Sequence, residues 1–288
     1  MKSQCFEDYK VEREHLSEKE IDKMLEAGRN WNLAPTLALG GVAIFPHTYL
    51  HVCAAQIAAA VHGALDSGAD QVVAIGVLHS CSHEFQQARA KEKNHENLAD
   101  CLFRGVHGPL LASGDYWKNE YSLLSFEFLW NEEVKRRGIK APKLLLRYPY
   151  LVNRQPENLP GIQELEALCK DSCVVATSDL CHHGVAYGMA KESVFTGDLA
   201  YAFAKENIET HLDILKTGDF ERYYQHCLQI RSDSFDVGTI LHHLRGPFRA
   251  TLLDLVLGDV APLFVGHPAP SWVACGLVEC TLTQKGAG

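Results

Sequence analysis

Apolar residues in this chain gather into short uninterrupted runs, and several of these runs end at a histidine. Leu39 to Phe45 (LGGVAIF) stops at Pro46-His47, and Gln71 to Leu78 (QVVAIGVL) ends on His79. Lys143 to Arg147 is a third run, and Cys173 to Thr177 (CVVAT) leads into Ser178-Asp179-Leu180-Cys181-His182-His183-Gly184. Runs of this length and β-branched content predict strands buried on both faces. Turn-spaced apolar positions predict helices between and after them. Leu16 to Ala27 has Ser17 as N-cap and Glu20 to complete a capping box, and Val52 to Leu65 is an alanine-rich helix. Ile162 to Lys170, Val194 to Glu206, Ile208 to Lys216, Phe220 to Gln229 and Val237 to Leu244 read as further helices, and Thr251 to Leu257 and Trp272 to Leu282 as closing strands.

Strands alternating with helices predict an α/β fold, a central mixed or mostly parallel sheet covered by helices on both faces. No internal repeat and no Pro/Gly/Ser-rich linker divides the chain. The reading is therefore one domain over residues 39–288, preceded by a helical extension over 1–38.

Composition narrows the function classes. The 288 residues are 47% hydrophobic and 22% charged, close to an average globular chain rather than a disordered or fibrous one. The balance of 27 basic against 36 acidic residues gives a net charge of −9 with no basic stripe, which argues against nucleic acid as a partner. A charged N-terminus without an apolar segment argues against a signal peptide, and no run nears the roughly 18 apolar residues of a membrane span. A cytoplasmic protein is expected. Its 10 cysteines include no C-x2-C pair, so they read as reduced, buried filler, Cys181 among them.

Of the 15 histidines, His47, His79 and His182 share one address. Each follows a predicted strand, at the carboxyl end where ligands collect in open α/β sheets. Neutral imidazole is the commonest metal ligand, and three of them leave positions open for water, dioxygen or substrate. Asp179 is placed to orient a ligand imidazole or to act as a base. Lone histidines such as His51, His62, His242 and His243 read as packing or surface residues, and Tyr49, Tyr148 and Trp272 as aromatic packing or pocket lining.

These stretches resemble the Memo family, which includes the AmmeMemoRadiSam system protein B and is related to the class III extradiol (LigB-like) dioxygenases. The resemblance is carried by Phe45-Pro46-His47-Thr48-Tyr49, by Ile75-Gly76-Val77-Leu78-His79 and, most specifically, by Thr177-Ser178-Asp179-Leu180-Cys181-His182-His183-Gly184. Ser125-Phe126-Glu127-Phe128 is similar to an internal S-I/L-E-M segment, and Ser271-Trp272-Val273-Ala274-Cys275-Gly276 to a closing one, so the likeness spans roughly Leu39 to Leu282. It implies a class III extradiol dioxygenase-like fold, His47, His79 and His182 as metal ligands, and Asp179 and Glu127 supporting them. Two departures stand out. Ser234-Phe235-Asp236-Val237-Gly238 occupies the region where the family carries a cysteine, leaving the Asp236 carboxylate as a substitute, and Leu124 stands where the family has a histidine.

The leading expectation is a mononuclear non-heme iron(II) oxygenase that activates dioxygen on a small chelating, catechol-like substrate, with Asp179, Glu127 or His183 as the acid-base group. Two alternatives stay open. One is a non-catalytic metal- or peptide-binding or redox protein of the Memo fold, holding iron or copper; the other is a zinc-dependent hydrolase with three histidines and a carboxylate base. A homodimer is the commonest assembly expected of such a protein.

Overall fold

The computed structural model describes residues 4–79, 82–109, 116–261 and 269–283, with side chains from residue 7 onward; Cys81 lies outside the described residues. Four parallel strands form the middle of one mixed sheet: β1 (Val42–Phe45), β2 (Gln71–Ile75), β4 (Lys143–Tyr150) and β5 (Cys173–Thr177). Antiparallel strands flank them: β3 (Gly105–His107), β6 (Cys181–Gly184), β7 (Phe248–Asp259) and β8 (Ser271–Leu282). The order is β3-β4-β2-β5-β1-β8-β6, with β7 pairing along β8.

Register matters most at the centre. Phe45 pairs with Thr177 and Ile75 with Ala176, so β1, β5 and β2 end side by side. Their residues divide by parity, as a two-unit side-chain period requires. Val42, Ile44, Val73, Ile75, Val174 and Ala176 face one core, and Ala43, Phe45, Val72, Ala74, Cys173 and Val175 face the other. Helices α4 (Leu50–Asp66) and α6 (Leu124–Arg137) cover the second core. Helices α7 (Ile162–Cys169), α8 (Gly197–Leu215), α9 (Phe220–Ile230) and α10 (Phe235–Arg245) cover the first. The connection leaving β1 and the one leaving β5 therefore lie on opposite faces, which opens a crevice beyond their carboxyl ends.

The predicted α/β class and its two-faced covering hold, and β5 matches its predicted bounds. The run from Leu39 starts its strand only at Val42, because Gly40 turns the chain at φ +85°. The two helices expected over 194–216 are one, α8. The strands β3 and β6, the helix α6 and the short helices α1 (Gln4–Glu14), α3 (Ala34–Ala38) and α5 (His83–Lys93) were not predicted. Helix α2 (Glu18–Ala27) has the expected capping box, with Ser17 and Glu20 bonding reciprocally. No helix among the described residues is long and apolar enough to cross a membrane.

The N-terminal segment is more than an appendage. Helix α4 has no side-chain cap of its own at Tyr49. Instead Glu12 of α1 accepts from the backbone N–H groups of Leu50 (2.9 Å) and His51 (3.1 Å), putting a carboxylate on the positive end of the helix dipole. Glu12→Ala should cost about 1–2 kcal/mol, read as a drop of about 2–8 °C in Tm, with faster proteolysis ahead of Ser17. An unchanged Tm and cleavage rate would show that α1 does not hold α4.

Candidate metal centre

Each of the three adjacent parallel strands delivers side chains to the crevice within four residues of its end. His47 follows β1, His79 follows β2 and Asp179 follows β5, while His182 lies in β6. Together with Asp233, in the turn between α9 and α10, they line a cavity of about 230 Å³. All three expected histidines are thus brought to one place.

Their outer nitrogens are tied down. Thr177 donates its hydroxyl hydrogen to the Phe45 carbonyl (2.9 Å), so its oxygen accepts from His47 Nδ1 (3.1 Å). His79 Nδ1 donates to Glu120 Oε1 (2.8 Å), and His182 Nδ1 to the Arg231 carbonyl (2.6 Å). In their neutral forms the network assigns all three rings the Nδ1–H tautomer, which puts the lone pair on each Nε2. Orienting acceptors of this kind are what metal-bound histidines characteristically have behind them.

Asp233 supplies the opposing charge. Its Oδ1 accepts from the Ser178 hydroxyl (2.7 Å) and the Asp179 N–H (2.9 Å). Its Oδ2 is buried without a hydrogen-bond partner, 3.1 Å from His47 Nε2 and 3.9 Å from His79 Nε2. Donor atoms of His47, His79 and Asp233 lie within 4.8 Å of one another, as do those of Asp179, His182 and Asp233. Among the described residues no group this compact joins all three histidines: Asp233 is shared by a set with two imidazoles and a set with Asp179 and one imidazole, in place of the expected three imidazoles.

Electrostatics mark the same point. Burial alone would push His47 down, yet the carboxylates of Asp179 and Asp233 outweigh it and raise the imidazole to about 9. Burial would raise Asp233, but His47 and, more weakly, His182 and His79 hold it at about 2. Two acceptor atoms facing each other in a buried site call for a cation or a proton between them. Donor separations of 3.1 and 3.9 Å suit ligands about 2.1 Å from one ion.

The remaining expected residues fall elsewhere or act differently. Asp179 lines the cavity, but Oδ1 accepts from the His47 N–H (3.1 Å) and Oδ2 from the Thr48 hydroxyl (2.8 Å), clamping the turn after β1. His183 points to the opposite face of β6 from His182, as strand alternation dictates. It stacks between Phe195 and Trp272 and accepts from the Phe195 N–H at Nε2 (3.1 Å), and burial lowers its pKa. Glu127, on α6, lies near Arg13 and does not line the cavity. Asp236 does not replace a site cysteine: it is ion-paired to Arg89 and accepts from the N–H groups of Leu151 and Val152. Burial drives the Cys181 thiol up to about 12.

The chain matches no family model and shows no match among curated proteins.

Sequence reasoning missed Asp233, Glu120 and the cavity tyrosines Tyr9 and Tyr121. Tyr121 stacks on the His79 ring (4.2 Å between centroids), and the Tyr9 hydroxyl donates to the His47 carbonyl (2.6 Å). Asp233 stands three residues before the aspartate that was singled out. Glu120 accepts from the His79, Tyr121 and Ser122 N–H groups besides the imidazole, and its pKa is lowered chiefly by His79 against the upward pull of burial. Glu120→Gln keeps the shape and removes the charge behind His79. It should weaken metal binding about 10- to 100-fold, measured by competition with a chelator, while Asp213→Asn at the surface leaves affinity unchanged.

Proposed function

We propose that the protein is a non-heme iron(II) oxygenase of the class III extradiol kind, with iron held by His47, His79 and Asp233. The observation that carries this reading is the pair of oriented Nε2 lone pairs facing the unpartnered Oδ2 of Asp233. Two histidines and one carboxylate with open positions is the donor set of iron(II) oxygenases. The motif likeness to the Memo and LigB-like proteins points the same way. When bound, iron would supply adjacent open positions for a chelating substrate and dioxygen.

The chain's own residues do the rest. Thr177 and Glu120 fix the ring orientations of His47 and His79, so little reorganisation accompanies binding. His182 keeps its proton on Nδ1 toward Arg231 and presents Nε2 as a base to a substrate hydroxyl. That assignment replaces His183 and Glu127, which do not line the cavity. Asp179 keeps His47 in place and adds a second negative charge beside it. Burial of His47 and Asp179 strengthens the charge interactions between them.

Protein loaded anaerobically with ferrous iron should hold about one equivalent per chain, and Asp233→Asn should bind iron at least ten-fold more weakly. Adding oxygen with a panel of catechols should give substrate-dependent oxygen uptake, which His182→Gln lowers by about 10²- to 10⁴-fold without loss of iron. No uptake with any substrate overturns the oxygenase reading, and one tightly held zinc with hydrolytic activity would replace it with a zinc hydrolase.

A further inference from the structure

Apart from its histidines, the cavity carries charge of one sign. Tyr9, Tyr49, Tyr121 and Tyr187 wall it with Val260 and Val273, and its acidic groups are the carboxylates of Asp179 and Asp233. Among the described residues no Lys or Arg lines it. Two guanidinium groups sit behind the walls with other tasks: Arg231 donates from Nε to the Tyr187 carbonyl, and Arg13 to the carbonyls of Tyr9 and Leu124.

One divalent cation offsets the two carboxylates and no more. A neutral ligand that chelates through adjacent hydroxyls brings no charge of its own into the site. A further carboxylate on the ring would enter with no cation to meet it, beside Asp179 and Asp233. A further negative charge left unpaired beside these largely buried carboxylates is disfavoured. Size narrows the class as well. At about 230 Å³ the cavity has room for one ring, since roughly 150 Å³ accommodates benzene.

We propose that the site selects an uncharged, single-ring chelating substrate and rejects ring carboxylates. This rests on the iron reading above. The test is calorimetric binding to iron-loaded protein without oxygen, comparing catechol with 3,4-dihydroxybenzoate. Catechol should bind at least ten-fold more tightly. Val260→Lys, which puts an ammonium group on the wall, should shrink that gap at least ten-fold. Equal or tighter binding of the carboxylate by the unaltered protein overturns the selection while leaving the metal reading intact, and so does failure to bind catechol. A folded Val260→Lys protein with an unchanged gap shows that charge is not the cause, and the comparison in the unaltered protein decides the selection if that variant does not fold. Failure of the unaltered protein to retain iron overturns both readings, and is seen in the metal content before any ligand is added.

Discussion

Two imidazole lone pairs and a carboxylate oxygen converge on one buried point, and the chain accepts a standing electrostatic demand there. Asp233 Oδ2, with no hydrogen-bond partner and 3.1 Å from His47 Nε2, is an arrangement that only positive charge can stabilise. A proton answers the demand in part, which is why His47 is lifted to about 9 against its burial. A metal ion held there would answer it with directed bonds to several of the groups at once. The surrounding acceptors make sense only with that demand in view. Thr177, Glu120 and the Arg231 carbonyl each take an Nδ1 proton, and so force the opposite nitrogen of each ring to be the donor atom.

The sheet sets where these groups meet, and a second ionic cluster sets how Asp233 is held. Arg89 of α5 is half-buried between the carboxylates of Glu92 and Asp236 and lies over the rings of Tyr150 and Phe235. Glu92 and Asp236 in turn accept from the backbone N–H groups of Leu151, Val152 and Asn153, where Leu151 and Asn153 adopt left-handed conformations at φ +56° and +54°. Such conformations cost a non-glycine residue about 1 kcal/mol or more, and here the carboxylates that accept from them offset that cost. The cluster joins α5, which begins four residues after His79, to α10, which begins two residues after Asp233. Both flanks of the candidate metal site are thereby anchored to the same ionic cluster.

How much of this was legible in the sequence follows from the range of the interactions involved. His47, His79 and His182 could be found because each sits next to an apolar run, and buried parallel strands leave that local mark. Helix α6 was invisible because its faces carry Phe126, Trp130 and Glu133 inward together, so no clean apolar stripe forms, and β3 and β6 are only three and four residues long. Asp233 and Glu120 sit in turns with no periodic signal. Their roles come from partners 54 and 41 residues away in the chain, and pairings of that kind are fixed by tertiary packing alone. The choice between His182 and His183 was different. Once β6 is recognised as a strand, alternation sends the two rings to opposite faces, and only one can meet the site.

The boundary drawn at residue 38 is where sequence and structure part most usefully. Local pattern separates a polar helical segment from an apolar core, yet the hydroxyl of Tyr9 reaches the His47 carbonyl and its ring stacks on Tyr49 at 4.6 Å. Glu12, one turn on, caps the helix that begins three residues after His47. The first helix thus contributes a wall to the cavity and a charge to its frame. A binding site at the open end of a parallel sheet needs a roof, and in this chain α1 supplies part of it. Helix α1 is thus part of the frame of the cavity, for a reason that no local pattern in its residues could record.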